Sequence, residues 1–189
     1  MIEGDCMKNT KIFLLAGNAR CGKDTVGTII NDYYVSKGLK VVRLGFADYI
    51  KLYAKKITDW DGSDDNKPRD LLQNLGTDVV REKINKDFFI NRICEDIMVY
   101  KYYFDVIIIT GARFPNELDI PKKKFDSTYI TYIKRPNYNN ELNEKQKAHI
   151  TEHALDNYNN YDFLIINDGD VTKLKNKVYD MLEEVTHEY

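Results

Sequence analysis

Ile12 to Thr25 reads I-F-L-L-A-G-N-A-R-C-G-K-D-T, an apolar run followed by Gly17, four residues, then Gly22, Lys23, Asp24 and Thr25. A strand, a glycine-rich loop and a helix start in this order form a phosphate-binding loop, G-x-x-x-x-G-K. Gly17 and Gly22 permit backbone angles that side chains resist, so the N–H groups of Asn18, Ala19, Arg20 and Cys21 can curl round phosphate oxygens. The helix that starts near Lys23 points its positive end at the same anion, and the lysine can reach it. An ordinary glycine turn is the competing reading; the apolar strand before the loop and the amphipathic helix after it favour phosphate. Ser or Thr normally follows the lysine and binds Mg²⁺. Here Asp24 stands there, with Thr25 next, and both are the metal candidates, since a carboxylate is a good ligand for a hard cation.

With 189 residues, 43% hydrophobic and 31% charged, the chain suits one globular domain, with residues 1–10 as a tail. A net charge of −2 gives no support to nucleic-acid or membrane binding over a broad surface. Lys122–Lys124 are read as a solvated turn, and the fourteen tyrosines as core or interface residues. Cys6, Cys21 and Cys94 lack metal-ligand spacing and suit a reducing cytoplasm, with Cys21 as filler inside the loop. No apolar run is long enough for a signal peptide or a membrane span.

The helix after the loop runs to Ser36, burying Val26, Ile29, Ile30 and Tyr33, and Gly38 ends it. A strand over Leu39–Phe46 then implies a right-handed crossover and a parallel sheet. Helices are expected over 47–57, 68–81 and 87–102, separated by a polar loop at 59–67. Strands are expected over 105–110, 128–133 and 163–166, and a closing amphipathic helix over 171–186. The alternation predicts a doubly wound α/β domain with a parallel sheet of about five strands. In such folds ligands bind at the carboxyl ends of the strands. Gly17–Thr25, Asp48, Gly111–Glu117, Arg135 and Asn167–Asp170 all follow such ends.

Phosphoryl transfer needs positioning and charge neutralisation, so arginines near the loop are the natural candidates: Arg69, Arg81, Arg113 and Arg135, with Arg113 foremost. Asp48 is either a helix N-cap, an acceptor-side carboxylate, or both. His149 and His153 have the H-x-x-x-H spacing of one helix face, but the absence of a third ligand argues against zinc.

These motifs together resemble the deoxynucleoside monophosphate kinases of bacteriophages and their bacterial relatives, a family of P-loop kinases. The resemblance rests on G-x-x-x-x-G-K-D-T, F-A-D with Lys51, L-L-Q-x-L-G-T-D-x-x-R (Leu71–Arg81), R-F-P-N-E (Arg113–Glu117), H-x-x-E (His149–Glu152) and N-D-G-D (Asn167–Asp170). It implies transfer of the ATP γ-phosphate, with Mg²⁺, to a nucleoside monophosphate. Lys23 and the loop would hold the donor; Asp48, Lys51, Arg69, Gln73, Arg81, Arg113, Glu117 and Glu152 would line the acceptor side. Arg135 and residues 136–156 would form a lid, and Asn167 and Gly169 would lie beside adenine. A homodimer is compatible with a kinase of this size. The family usually carries an acidic residue where this chain has Gly111. Two other readings follow: a kinase of another acceptor of the dephospho-coenzyme A or phosphomevalonate type, or a nucleotide-binding sensor without catalysis, in which an aspartate restored at 111 would raise activity.

Overall fold

The computed structural model describes residues 9–136 and 143–187. Its centre is β1 (Lys11–Ala16), flanked on both sides by parallel strands. The remaining strands are β2 (Val41–Gly45), β3 (Val106–Ala112), β4 (Thr128–Lys134) and β5 (Phe163–Ile166), in the spatial order β2-β3-β1-β4-β5. Every pairing among them is parallel, as the strand–helix alternation requires.

Alternation along β1 and β3 divides the core into two layers. Ile12, Leu14, Ile107 and Ile109 face one way, towards α2 (Phe46–Ile57), α4 (Phe88–Tyr100) and α5 (Pro115–Lys124). Phe13, Leu15, Val106 and Ile108 face the other way, towards α1 (Lys23–Ser36) and α7 (Val171–His187). Both faces are covered, so the central strands carry the unbroken apolar runs Ile12–Ala16 and Val106–Ile109, and the fold is doubly wound.

Several expected boundaries move. The second strand is shorter at both ends: Gly38 turns the chain at φ +78°, Leu39 lies exposed beyond it, and Phe46 already belongs to α2. In α1 the buried tyrosine is Tyr34, which continues the i+4 row of Val26 and Ile30, while Tyr33 packs at the edge against Tyr179. The helix expected over 68–81 is α3 (Arg69–Gln73), which passes directly into a π-helical stretch, Asn74–Ile84. There the amide of Asn85 bonds to the carbonyl of Val80, five residues back, at 2.9 Å. Gly76 lets this stretch approach α2 closely, since a Cβ there would lie 2.7 Å from Ile50 Cδ1.

The expected turn at Lys122–Lys124 is instead the last turn of α5, a helix that Pro115 opens at its first position. Three lysines there suit the negative end of the helix dipole. Lys122 also pairs with Asp162 at 2.8 Å, tying α5 to the approach of β5. The two histidines of H-x-x-x-H do not share a helix face. They bracket a single 3₁₀ turn, Ile150–Glu152, that follows the short helix α6 (Glu144–Lys147). His149 caps that turn, its ring nitrogen accepting from the Thr151 amide.

Candidate active site

At the carboxyl end of β1 the chain turns sharply. Gly17 sits at φ +140°, and a Cβ there would collide with the Ile133 carbonyl of β4, so only glycine fits. Gly22 (φ +107°) ends the loop and accepts the first hydrogen bond of α1, from the Val26 amide at 2.9 Å. Arg20 also takes a positive φ, +56°. Lys23 folds back over the loop, its Nζ donating to the carbonyls of Gly17 (2.9 Å) and Asn18 (2.7 Å). Burial pushes its amine below the ordinary lysine value, and the positive charge of Arg113 pushes it further. A cation held in that way gains from an anion placed beside it. The Cys21 side chain is buried in the layer under α1 and α7, and its Sγ accepts from Lys23 Nζ at 3.7 Å.

The loop forms one wall of a cleft of about 630 Å³. Ala19, Arg20, Lys23 and Asp24 come from the loop and α1; Asp48 and Lys51 from α2; Arg69, Gln73 and Arg81 from α3 and the π-helical stretch; Arg113 and Glu117 from the β3–α5 corner; and Glu152 from the 3₁₀ turn. Every residue expected on the acceptor side therefore lines one space. Four arginines and three lysines line it beside six acidic side chains, and the arginine forks match phosphate oxygens in pairs.

Within the cleft, Arg81 is held on several sides. Its guanidinium donates to Glu117 Oε1 at 2.5 Å and to Asn116 Oδ1 at 3.4 Å, and stacks 3.7 Å above the Phe114 ring. Glu117 is 5% exposed, and its other oxygen accepts the amides of Arg113 (2.6 Å) and Phe114 (3.1 Å). Burial pushes this carboxyl above the usual carboxylate range, opposed by those amides and by Arg81. Glu117 thus acts on Arg81 and on the R-F-P-N-E backbone. Arg113 donates to Glu152 Oε1 at 3.0 Å. Asp48 does not cap α2: Gly45 precedes the first helical residue, and Asp48 lies in the first turn, 3.5 Å from Lys51 Nζ.

Other expected residues lie elsewhere. Arg135 is exposed after β4 and does not line the cleft, and the lid segment that follows it lies partly outside the described residues. Asn167 lies under the loop: its side-chain amide donates to the Cys21 carbonyl at 2.9 Å, and neither it nor Gly169 reaches the cleft. Thr25 faces a second hollow between α1 and α7, whereas Asp24 borders both. The Asp24 carboxylate is 88% exposed and lies 3.8 Å from Arg43. Among the described residues no group of three or more His, Cys, Asp or Glu side chains is arranged to hold a metal. A single carboxylate such as Asp24 suits Mg²⁺ that arrives with phosphates, because that ion commonly takes one or two carboxylates plus substrate oxygens.

Gly111 bulges out of β3: Leu15 pairs with Thr110 and Ala16 with Ala112, leaving Gly111 unpaired at φ +85°. A Cβ there would meet open space, with only the Phe46 amide nitrogen as near as 4.0 Å. The cleft has room for a carboxylate at 111, but the backbone angle disfavours any side chain there. Sequence reading missed Asp64, Asp65 and Lys67 of the 59–67 loop, which line the cleft, while Gln146 and Thr151, which also line it, belong to the segment expected as a lid. Loop composition carried no sign of it.

No curated protein matches the chain. Among solved structures it is similar to the APS kinase of Mycobacterium tuberculosis in complex with AMPPNP and APS, at 12% identity and a TM-score of 0.55, covering 93% of this chain and 99% of that one. It is also similar to dephospho-CoA kinase from Campylobacter jejuni, at 16% identity and TM-score 0.52, covering 94% and 98%. Shikimate kinase from Aquifex aeolicus gives 14% identity and TM-score 0.50, covering 91% and 96%. Such identities speak for the fold, that of P-loop kinases. The deoxynucleotide monophosphate kinase family matches residues 47–178, a stretch that begins after the phosphate loop and so adds to it independently. On a match of that length the chain belongs to the deoxynucleotide monophosphate kinase family.

Proposed function

We propose that the protein transfers the γ-phosphate of ATP to a (deoxy)nucleoside monophosphate. The observation that carries this reading is the single cleft in which the phosphate loop and Lys23 face Arg69, Arg81 and Arg113. The loop amides and Lys23 hold the donor phosphates, and the acceptor lies against Asp48, Lys51, Gln73 and the three arginines. An oxygen of the acceptor phosphate attacks the γ-phosphorus as its bond to the β-phosphate oxygen of ATP breaks, leaving ADP. Negative charge grows on that leaving oxygen and on the transferring group, where Lys23 and Arg113 offset it. Mg²⁺ held by Asp24 would supply further neutralisation at the β and γ oxygens.

The test is ATP- and Mg²⁺-dependent phosphorylation of each ribo- and deoxyribonucleoside monophosphate in turn. Product from one or a few of them, lowered in Lys23→Ala by at least about 100-fold, is the expected result. No product from any, with ATP still bound, overturns it and supports the second reading. That reading, nucleotide binding without transfer, is favoured by Gly111 itself, which has open space beside it and brings no side chain where the family usually carries an acidic one.

A further inference from the structure

The Glu152 carboxylate reaches the phosphate loop from a distant part of the chain. It ends the Ile150–Glu152 turn and is 8% exposed. Its Oε2 accepts the amide of Ala19, inside the loop, at 3.1 Å. Its Oε1 accepts from Arg113 Nη1 at 3.0 Å. A loop amide and a guanidinium are the two donor types that phosphate oxygens take in such sites. Both oxygens of the carboxylate are occupied by them.

The segment that carries Glu152 is fastened at one further point and braced at another within itself. Gln146 Nε2 of α6 donates to Asp70 Oδ1 of α3 at 3.0 Å, on the opposite wall of the cleft. The His153 ring nitrogen lies 2.8 Å from the Lys147 carbonyl, joining the turn to α6. Residues 143–156 therefore form a strap that spans the cleft from the acceptor wall to the phosphate loop.

We propose that Glu152 is an internal anion that occupies donors needed by the nucleotide phosphates, so that ATP binding displaces it and frees both the strap and Arg113. The proposal rests on the nucleotide-kinase reading above. Displacement adds a step to binding: the apparent affinity is lowered by the fraction of molecules in which the carboxylate is still seated. It also makes Arg113 available only when a phosphate has replaced the carboxylate, which links an ordered donor to an available acceptor-side arginine. A carboxylate whose role is only to hold Arg113 in place makes the opposite prediction, since its loss would leave ATP affinity unchanged or lower.

The experiment is calorimetric titration of the full-length protein and of Glu152→Gln with ATP. The glutamine keeps the size and one acceptor while removing the charge. Tighter ATP binding in Glu152→Gln, on the order of fivefold, supports the proposal. Equal or weaker binding overturns it. A measurement on the unmodified protein covers the case in which the variant fails to fold: the Ala19 amide is protected from hydrogen exchange without nucleotide, and exchange at the rate of an open loop overturns the proposal as well. If the unmodified protein binds no ATP at all, the nucleotide reading itself falls, and the proposal with it.

Discussion

Arg81 keeps its position through Glu117, and the pair has little water around it, with side chains 10% and 7% exposed. Removing the charge of a buried partner costs more than the pair itself is worth, because the remaining ion stays desolvated. Glu117→Gln keeps an acceptor for the Arg113 and Phe114 amides, so the expected loss is about 2 kcal/mol, below the roughly 3–5 kcal/mol of outright deletion. Urea unfolding should show a lower midpoint at unchanged slope. In the transfer assay the acceptor KM should rise more than the ATP KM, because Arg81 loses its support while Lys23 and the loop keep theirs. Equal changes in the two constants would mean that Arg81 does not serve the acceptor.

The strap is the element in which pH should be felt. His153 lies 3.1 Å from Asp156 Oδ2 and 2.8 Å from the Lys147 carbonyl, so its protonated ring can donate at both nitrogens. The bond to Asp156 first, and that to Lys147 second, raise its pKa above the ordinary 6.5. A raised pKa means that the folded state binds the proton more tightly than the unfolded chain. The stabilisation is therefore complete below pH 6.5 and is lost as pH rises through the folded value. Amide exchange of residues 147–156, corrected for intrinsic rates, should quicken as pH rises from 6.5 through the folded value, and His153→Gln should abolish the difference. Sequence pattern is weakest at this level of structure. The helix α1 is readable because Val26, Ile29 and Ile30 recur at near-helical spacing behind a loop of known shape, even though the buried tyrosine is Tyr34 and not the expected Tyr33. In contrast, α5 carries Pro115, Pro121 and three lysines, which hide its buried Leu118 from any periodic pattern. The H-x-x-x-H spacing suggests a helix only until His149 is seen to use its ring as a cap.

At the scale of the whole molecule, the sheet order brings together residues that the chain keeps far apart. The strand-end rule already selects the phosphate loop, Asp48 and the R-F-P-N-E corner, because it depends only on where strands stop. It does not separate Arg135, which follows a strand and still misses the cleft, from Glu152, which lies 133 residues from Ala19 and touches it. Those outcomes depend on long-range packing that no local pattern encodes. That packing centres on β1, which carries the loop directly from its last residue. Leu14 is fully buried between β3 and β4, so Leu14→Ala removes apolar contacts and leaves a cavity. The expected cost is about 2–5 kcal/mol, seen as a lower urea midpoint with unchanged slope. Because Leu14 is two residues short of Ala16, where the strand ends, it can weaken the fold without touching any loop donor. ATP at about a hundred times its Kd should then restore about 2.7 kcal/mol to the variant, as it adds to the unmodified protein. A smaller gain in the variant would show that the cavity reaches the phosphate loop, and that the core of the sheet and the geometry of the site are one structure.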